Sequence, residues 1–312
     1  METPSNIVES IVSLPVINPE TGKASRTFRF AGKLDLGEGA KLSDYKSAKD
    51  PARFVKQQVI GFQLEFYAMA VRKAGRWVSE VEYRVIAVPG IKLCGKDADP
   101  QAYEQRCFEW LMDPEYPNRM MSHPFVLTDG RIKQAQGFMW ECSKRILENR
   151  RNDRWLPNPG ACFAWERPCE YLPLCELVSS STATEDTVQR DYEEIHNFHP
   201  ELGEAGADSG LLTHSSMSML VLCEMKYFWR HEVGVRKRRD YVESLWLGSA
   251  MHAGMEGYAT GGIDAGLAAV DSWRQQNPIV GEDDAKDEDQ QVARARAMVR
   301  AAAAKWPMYS SV

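Results

Sequence analysis

The first fifty residues alternate apolar and polar positions. Ile7 to Val12 alternates, a turn follows at Asn18-Pro19-Glu20-Thr21-Gly22, and Thr27 to Leu36 alternates again before Gly37-Glu38-Gly39. Lys41 to Lys46 makes a third short run. Runs of this kind, punctuated by Gly, Pro and Asn, predict a meander of antiparallel strands. From Ala52 to Arg72 the spacing of Phe54, Val55, Val59, Phe62, Phe66 and Met69 predicts a buried helix instead. Val78 to Val88 reads as a further strand, and Gln101 to Met112 and Gly130 to Arg150 read as helices. A segment rich in Pro and Cys, Trp155 to Glu176, reads as a loop. Ser179 to Thr184, with the acidic and weakly apolar stretch to Gly210, reads as a linker. Helices return at Ser215 to about Val233 and Ser244 to Tyr258. Asn277-Pro278 and the acidic stretch 282–289 then precede a last helix, which stops at Pro307. There is no internal repeat, so the pattern predicts one mixed α/β fold.

Of the 312 residues, 44% are hydrophobic, enough to bury a core in one large domain or two ordinary ones. Lys and Arg total 38 against 44 Asp and Glu, for a net charge of −6. That balance excludes a wholly basic nucleic-acid coat protein but allows a local basic groove. No apolar run is long enough to span a bilayer. The stretch through Pro15 lacks the basic and apolar blocks of a secretory signal, so the expected address is cytoplasmic. In a reducing compartment, seven cysteines are expected to be thiols or metal ligands rather than disulfides.

The chemistry concentrates in Gly32-Lys33-Leu34-Asp35 and Asp44-Tyr45-Lys46. Alternation puts Asp44 and Lys46 on one strand face, and a hairpin through Gly37-Glu38-Gly39 could bring Asp35 beside them. Two carboxylates together suit a hard divalent cation such as Mg²⁺, and an adjacent lysine can orient water or stabilise charge on a phosphate. Taken alone, Asp-x-Lys is more often a solvated strand face. Gln63 and Tyr67, one turn apart on the next helix, complete a longer series.

The series G-x-x-D, D-x-K, Q-x-x-x-Y resembles the PD-(D/E)XK nuclease superfamily, specifically its RecB-like branch. The resemblance implies a restriction-endonuclease-like central mixed sheet flanked by helices. It implies Asp35 and Asp44, with the Tyr45 carbonyl, as ligands of Mg²⁺ or Mn²⁺. Lys46 would assist hydrolysis, and Gln63 and Tyr67 would support the site or touch DNA. The family's metal-binding His belongs to an earlier helix, yet here the matching stretch, Leu247-Gly248-Ser249-Ala250-Met251-His252, comes late. Upstream of it, Leu212 to Trp229 resembles the family's usual opening, with its Ser-rich helix start, a Cys at 223 and an aromatic basic helix. Glu256 shares a face with His252, although an exposed helical Glu explains it equally well. The halves therefore stand in reversed order, as in a circular permutant. Residues 1–178 form the sheet half, 179–210 join the original ends, and 211–312 form the helical half. Two truncated domains, or a dimer that exchanges halves, are competing arrangements.

Cys162, Cys169 and Cys175 lie in the Pro-rich segment. Packing explains them poorly; thiolates favour iron–sulfur clusters or zinc, and the tight C-x2-C pair of a zinc site is missing. The segment looks like the iron–sulfur version of RecB-like nucleases, found in AddB-type helicase–nucleases and CRISPR-associated exonucleases. That resemblance implies a [4Fe–4S] cluster on Cys162, Cys169, Cys175 and Cys223, stapling the helical part to the old end of the domain. The family often has two residues between the first pair of the trio, and this chain has six. Cys94, Cys107 and Cys142 fit as buried or free thiols.

Lys226, Tyr227, Arg230, Arg236 and Lys237, with Arg238, Arg239, Phe228 and Trp229, mix basic and aromatic side chains; Lys144, Arg145, Arg150, Arg151 and Arg154 make a second basic group. Such mixtures suit backbone contact and base stacking on a single strand, while a solvated helix face is about as good an account of any one residue. The expected function is a metal-dependent DNA exonuclease acting on single strands or ends, with recombination or repair proteins as partners and no membrane. The rival is a catalytically silent, cluster-bearing DNA-binding or assembly factor, which has no need to keep the D…D-x-K set.

Overall fold

The computed structural model describes residues 7–58, 61–164, 168–238, 243–279 and 284–307. The alternating runs form β1 (Ile7–Ile17), β2 (Ala24–Glu38) and β3 (Lys41–Ala48). Asn18 closes the first turn by accepting the Glu20 and Thr21 amides. Gly39, at φ 56°, supplies the left-handed residue that the tight β2–β3 connection needs. α1 (Pro51–Gln58) and α2 (Gln63–Lys73) follow. The one helix expected over 52–72 is thus two, parted by non-helical Gly61 and Phe62, while Val59 lies outside the described residues. β4 (Glu80–Ala87), α3 (Pro100–Met112), β5 (Met120–Val126) and α4 (Asp129–Asn152) come next.

The sheet order is β1-β2-β3-β4-β5, with β3 and β4 parallel and the other neighbours antiparallel. β5 is absent from the pattern reading because Pro124 interrupts it; Pro is tolerated there because β5 is an edge strand. Val81, Tyr83 and Val85 face a core built with α1, α2 and α4. Ile86, Tyr45 and Leu36 face the opposite core, built with α3, α9 (Glu243–Gln276) and α10 (Asp284–Lys305). α9 turns back on itself at Gly262 (φ 79°). A Cβ on Gly254 would lie 3.3 Å from the Gly266 carbonyl, although twelve residues of straight helix would separate them by about 18 Å.

The segment 179–210 carries structure of its own. α5 (Leu172–Ser179) leads into it, and α6 (Glu185–Asp191) precedes β6 (Tyr192–Glu194). After β7 (Leu211–Leu212), Thr213 and Ser216 cap α7 (His214–Leu222) reciprocally. The helix expected to run to Val233 breaks at extended Cys223, resumes as α8 (Glu224–Tyr227) and ends in a wide turn over Phe228–Glu232. β8 (Val235–Lys237) then pairs with β6. Tyr171, Leu174, Tyr192, Trp229 and Val235 bury one another in a small separate core. No helix among the described residues is long and apolar enough to cross a membrane.

One irregularity positions the site. β1 occupies one edge of β2 along most of its length, while the other edge is shared: β3 pairs with Leu36–Glu38 and β7 with Arg29 and Phe30. Between those pairings β2 and β3 part, leaving a fork at Asp35.

Candidate metal centre and cysteine cavity

Asp35, Asp44 and Lys46 meet at this fork. The Tyr45 amide, which has no partner on β2 at this point, donates to Asp35 Oδ2 at 2.7 Å. Lys46 Nζ lies 2.5 Å from Asp44 Oδ2 in a close ion pair. Gln63 Nε2 donates to Asp44 Oδ1 at 3.4 Å and to the Tyr67 hydroxyl at 3.1 Å, so the helical pair anticipated from its spacing reaches the carboxylate. Gly32 makes room for it: a Cβ there would sit 2.4 Å from the Tyr67 ring. From the opposite face of the sheet, His252 Nδ1 comes within 3.6 Å of Asp35 Oδ2. Helices on both faces thus contribute to one site because the sheet is open between them.

Glu9, which the sequence reading did not single out, belongs to this group. It falls between the Val8–Leu36 and Ser10–Leu34 pairs and so stands opposite Asp35. Among the described residues Glu9, Asp35 and His252 form the one His, Cys and carboxylate group whose ligand atoms all lie within 4.8 Å of one another. Glu256 instead sits 3.8 Å from Lys33 Nζ, which pairs with Glu9 at 2.7 Å.

Burial dominates the electrostatics. It pushes the Glu9 carboxyl up to about 7, with Asp35 adding to the rise, and Asp44 up to about 6 against the pull of Lys46. Asp35 is likewise raised by burial. Burial alone would lower the Lys46 ammonium, but Asp44 and Asp35 more than reverse this and hold it above its ordinary range. Burial and Lys46 bring His252 down to about 4, so its imidazole is neutral at neutral pH. Because the folded chain keeps the Asp44 proton to higher pH than the unfolded chain, that stability is present at low pH and lost as pH rises through about 6. Between about pH 4 and pH 7, metal-free protein is expected to lose about 3 kcal/mol that Asp44→Asn does not lose. Urea unfolding of both proteins across that range checks the difference.

The donor set fits a hard divalent cation. It consists of carboxylate oxygens and a neutral imidazole.

All four cysteines singled out by pattern line one cavity of 830 Å³, together with Lys49, Tyr171, Lys226 and Ser244. Cys169 N donates to the Cys162 carbonyl at 2.6 Å, and Asn158 N donates to Cys223 Sγ at 3.4 Å. Burial pushes the Cys175 thiol up, opposed by the neighbouring Trp229 indole. Cys107 and Cys142, pushed up by burial to about 11 and about 12, are inert packing thiols, while Cys94 is exposed.

The basic and aromatic residues fit a nucleic-acid surface less well. Tyr227 is buried, stacked on Trp155 and His231 at 5.8 and 4.8 Å, so its ring is no platform for a base. Lys226 pairs with Glu170, Arg236 with Glu193, Arg145 with Glu224 and Arg150 with Glu232. Arg230 lies beside the Tyr171 hydroxyl, which donates to the Val235 carbonyl at 2.8 Å, and Lys237 is exposed on β8. Arg239 lies outside the described residues.

A mixed sheet flanked by helices, with carboxylates, a lysine and an imidazole at a strand fork, is consistent with the PD-(D/E)XK fold. A family model described as the PD-(D/E)XK nuclease superfamily matches residues 211–311, the part that carries His252. No curated protein and no solved structure matches the chain.

Proposed function

We propose that this chain is a divalent-metal-dependent deoxyribonuclease, an exonuclease acting on single strands or ends. The observation that carries the reading is the meeting of Asp35, Asp44, Lys46 and His252 at the fork, although His252 lies more than two hundred residues along the chain from the other three. We read the order of the two halves as a circular permutation within the RecB-like branch. The superfamily match to the C-terminal third supports it, because the D…D-x-K set lies near the N-terminus.

Asp35, Asp44, His252 and the Tyr45 carbonyl would hold Mg²⁺ or Mn²⁺, which supplies Lewis-acid stabilisation and a more acidic water. Lys46, kept charged by its two carboxylates, is unsuited to act as a base. It would instead donate to the attacking water or to a phosphate oxygen. A carboxylate that does not ligate the metal would serve better as the proton acceptor. Gln63 and Tyr67 would hold Asp44 in place. The cysteine cavity would hold a structural [4Fe–4S] cluster on Cys162, Cys169, Cys175 and Cys223.

The test is digestion of end-labelled single- and double-stranded DNA with Mg²⁺, Mn²⁺ or EDTA. Metal-dependent release of nucleotides from one end is expected. Absence of cleavage with both metals, alongside intact DNA binding, would favour the silent DNA-binding factor.

A further inference from the structure

The fork holds one carboxylate more than the motif series requires. Glu9 and Asp35 stand opposite each other on adjacent antiparallel strands, an arrangement in which like charges repel. Both are shielded from water: the Glu9 side chain is only 8% exposed and that of Asp35 only 10%. Two ammonium groups answer them, and each is already engaged. Lys33 sits on Glu9 at 2.7 Å, and Lys46 sits on Asp44 at 2.5 Å. Lys33 also lies 3.8 Å from Glu256, so neither ammonium group is left to answer Asp35 alone. Glu9 also adopts φ 46°, uncommon for a residue with a side chain, so the local backbone is bent where its carboxylate enters the cluster.

Asp44 is differently placed. One of its oxygens takes Gln63 and the other faces Lys46. It is not among the three residues whose ligand atoms converge within 4.8 Å. The converging set is Glu9, Asp35 and His252, one from β1, one from β2 and one from α9.

We propose that the divalent cation is seated between Glu9, Asp35 and His252, with Glu9 a direct ligand and Asp44 left chiefly to Lys46. This rests on the metal-dependent reading above and changes its ligand set. A cation there would join two carboxylates that otherwise repel across the β1–β2 pair. It would also tie the strand that opens the chain to the helix in its last third. Asp44 would then be free to take a proton from water.

The experiment is Mn²⁺ titration of the full chain, read by the electron paramagnetic resonance of free Mn²⁺ and by melting temperature with and without Mn²⁺ at pH 8. Glu9→Gln is expected to weaken Mn²⁺ binding at least tenfold, Asp35→Asn at least as much, and Asp44→Asn less than threefold. Because a ligand stabilises the folded state in proportion to its affinity, the Mn²⁺-induced rise in melting temperature should shrink in Glu9→Gln. The metal-free melting temperature should not fall, since a repelling charge has been removed. A merely structural Glu9 would give the reverse, a lower metal-free melting temperature with an unchanged Mn²⁺ effect, and that result overturns the inference. Should Glu9→Gln fail to fold, Glu9→Asp keeps the charge but withdraws it by one methylene. A tenfold loss of affinity there supports direct ligation, and unchanged affinity overturns it. Loss of Mn²⁺ binding in Asp35→Asn with retention in Glu9→Gln defeats this ligand set alone. Unchanged binding in Asp35→Asn defeats the metal-centre reading as a whole.

Discussion

Lys46→Ala is expected to lower Mn²⁺-dependent cleavage of single-stranded DNA by about 10²–10³-fold, the usual cost of removing one donor from a site where charge develops. The same substitution should leave Mn²⁺ binding as tight as before, or tighten it. Lys46 lies against Asp44 and is held in its charged form by Asp44 and Asp35 together, so it competes with any cation for the same negative charge. Removing it exposes those carboxylates to the metal while taking away the group that meets the water or the phosphate. Few residues predict opposite signs for binding and turnover, which makes the pair of measurements diagnostic. A purely structural Lys46 would lose both together, through misplacement of Asp44. Asp44→Ala should also abolish cleavage, since it removes the proton acceptor and strands Lys46 without its partner. Single-turnover digestion with saturating Mn²⁺, beside direct metal titration, separates the cases. Cleavage within threefold of wild type in both variants would sink the nuclease reading.

Much of this centre is legible in the sequence because its residues lie close together in the chain. Asp44 and Lys46 share a face by strand alternation, Gln63 and Tyr67 by one helical turn, and the turn expected at Gly37-Glu38-Gly39, which the structure places at Gly39-Ala40, joins Asp35's strand to theirs. Gly32 has a physical reason as well, since only its missing Cβ lets the Tyr67 ring cross β2. His252 lies more than two hundred residues from Asp35, so local spacing could not join them; the resemblance to a nuclease family suggested the pairing. Glu9 was hidden for another reason. The first hairpin turn pairs Ile17 with Ala24, and extending that register would put Glu9 opposite Gly32. An irregularity between Pro15 and Ile17 shifts the register, so that Glu9 meets Asp35 instead. A bulge of this kind leaves no reliable mark in an alternating pattern. The small core around Tyr171 and Tyr192 was missed similarly, because its apolar residues are scattered through polar sequence that reads as linker.

Protein purified without oxygen is expected to be brown and to contain iron, and Cys169→Ala is expected to be colourless. The sequence alone offered four cysteines at unequal spacings, with Cys223 far along the chain from the other three. The fold brings all four to the wall of one cavity. Around it the polypeptide has little else to hold it: Cys223 breaks the helix between α7 and α8, and the five-residue core beside it is small. A cluster would tie Cys162 to Cys223 across a loop of roughly 60 residues, which chain-entropy reasoning for a single cross-link values at roughly 4 kcal/mol. For a chain of this size, losing that constraint corresponds to a fall in melting temperature of about 6 °C. The fall should appear in Cys169→Ala and not in Cys94→Ala, because Cys94 is exposed and outside the cavity. Cleavage by the cluster-free protein at low temperature is a separate readout. The cavity approaches the catalytic strand at Lys49, just past the end of β3 and three residues beyond Lys46, so a structural cluster predicts that turnover survives until the fold softens. Colourless, iron-free wild-type protein, or a Cys169→Ala protein that keeps its colour, would rule out this ligand set. Colour with no metal-dependent cleavage at any temperature would instead point to the silent, cluster-bearing DNA-binding factor.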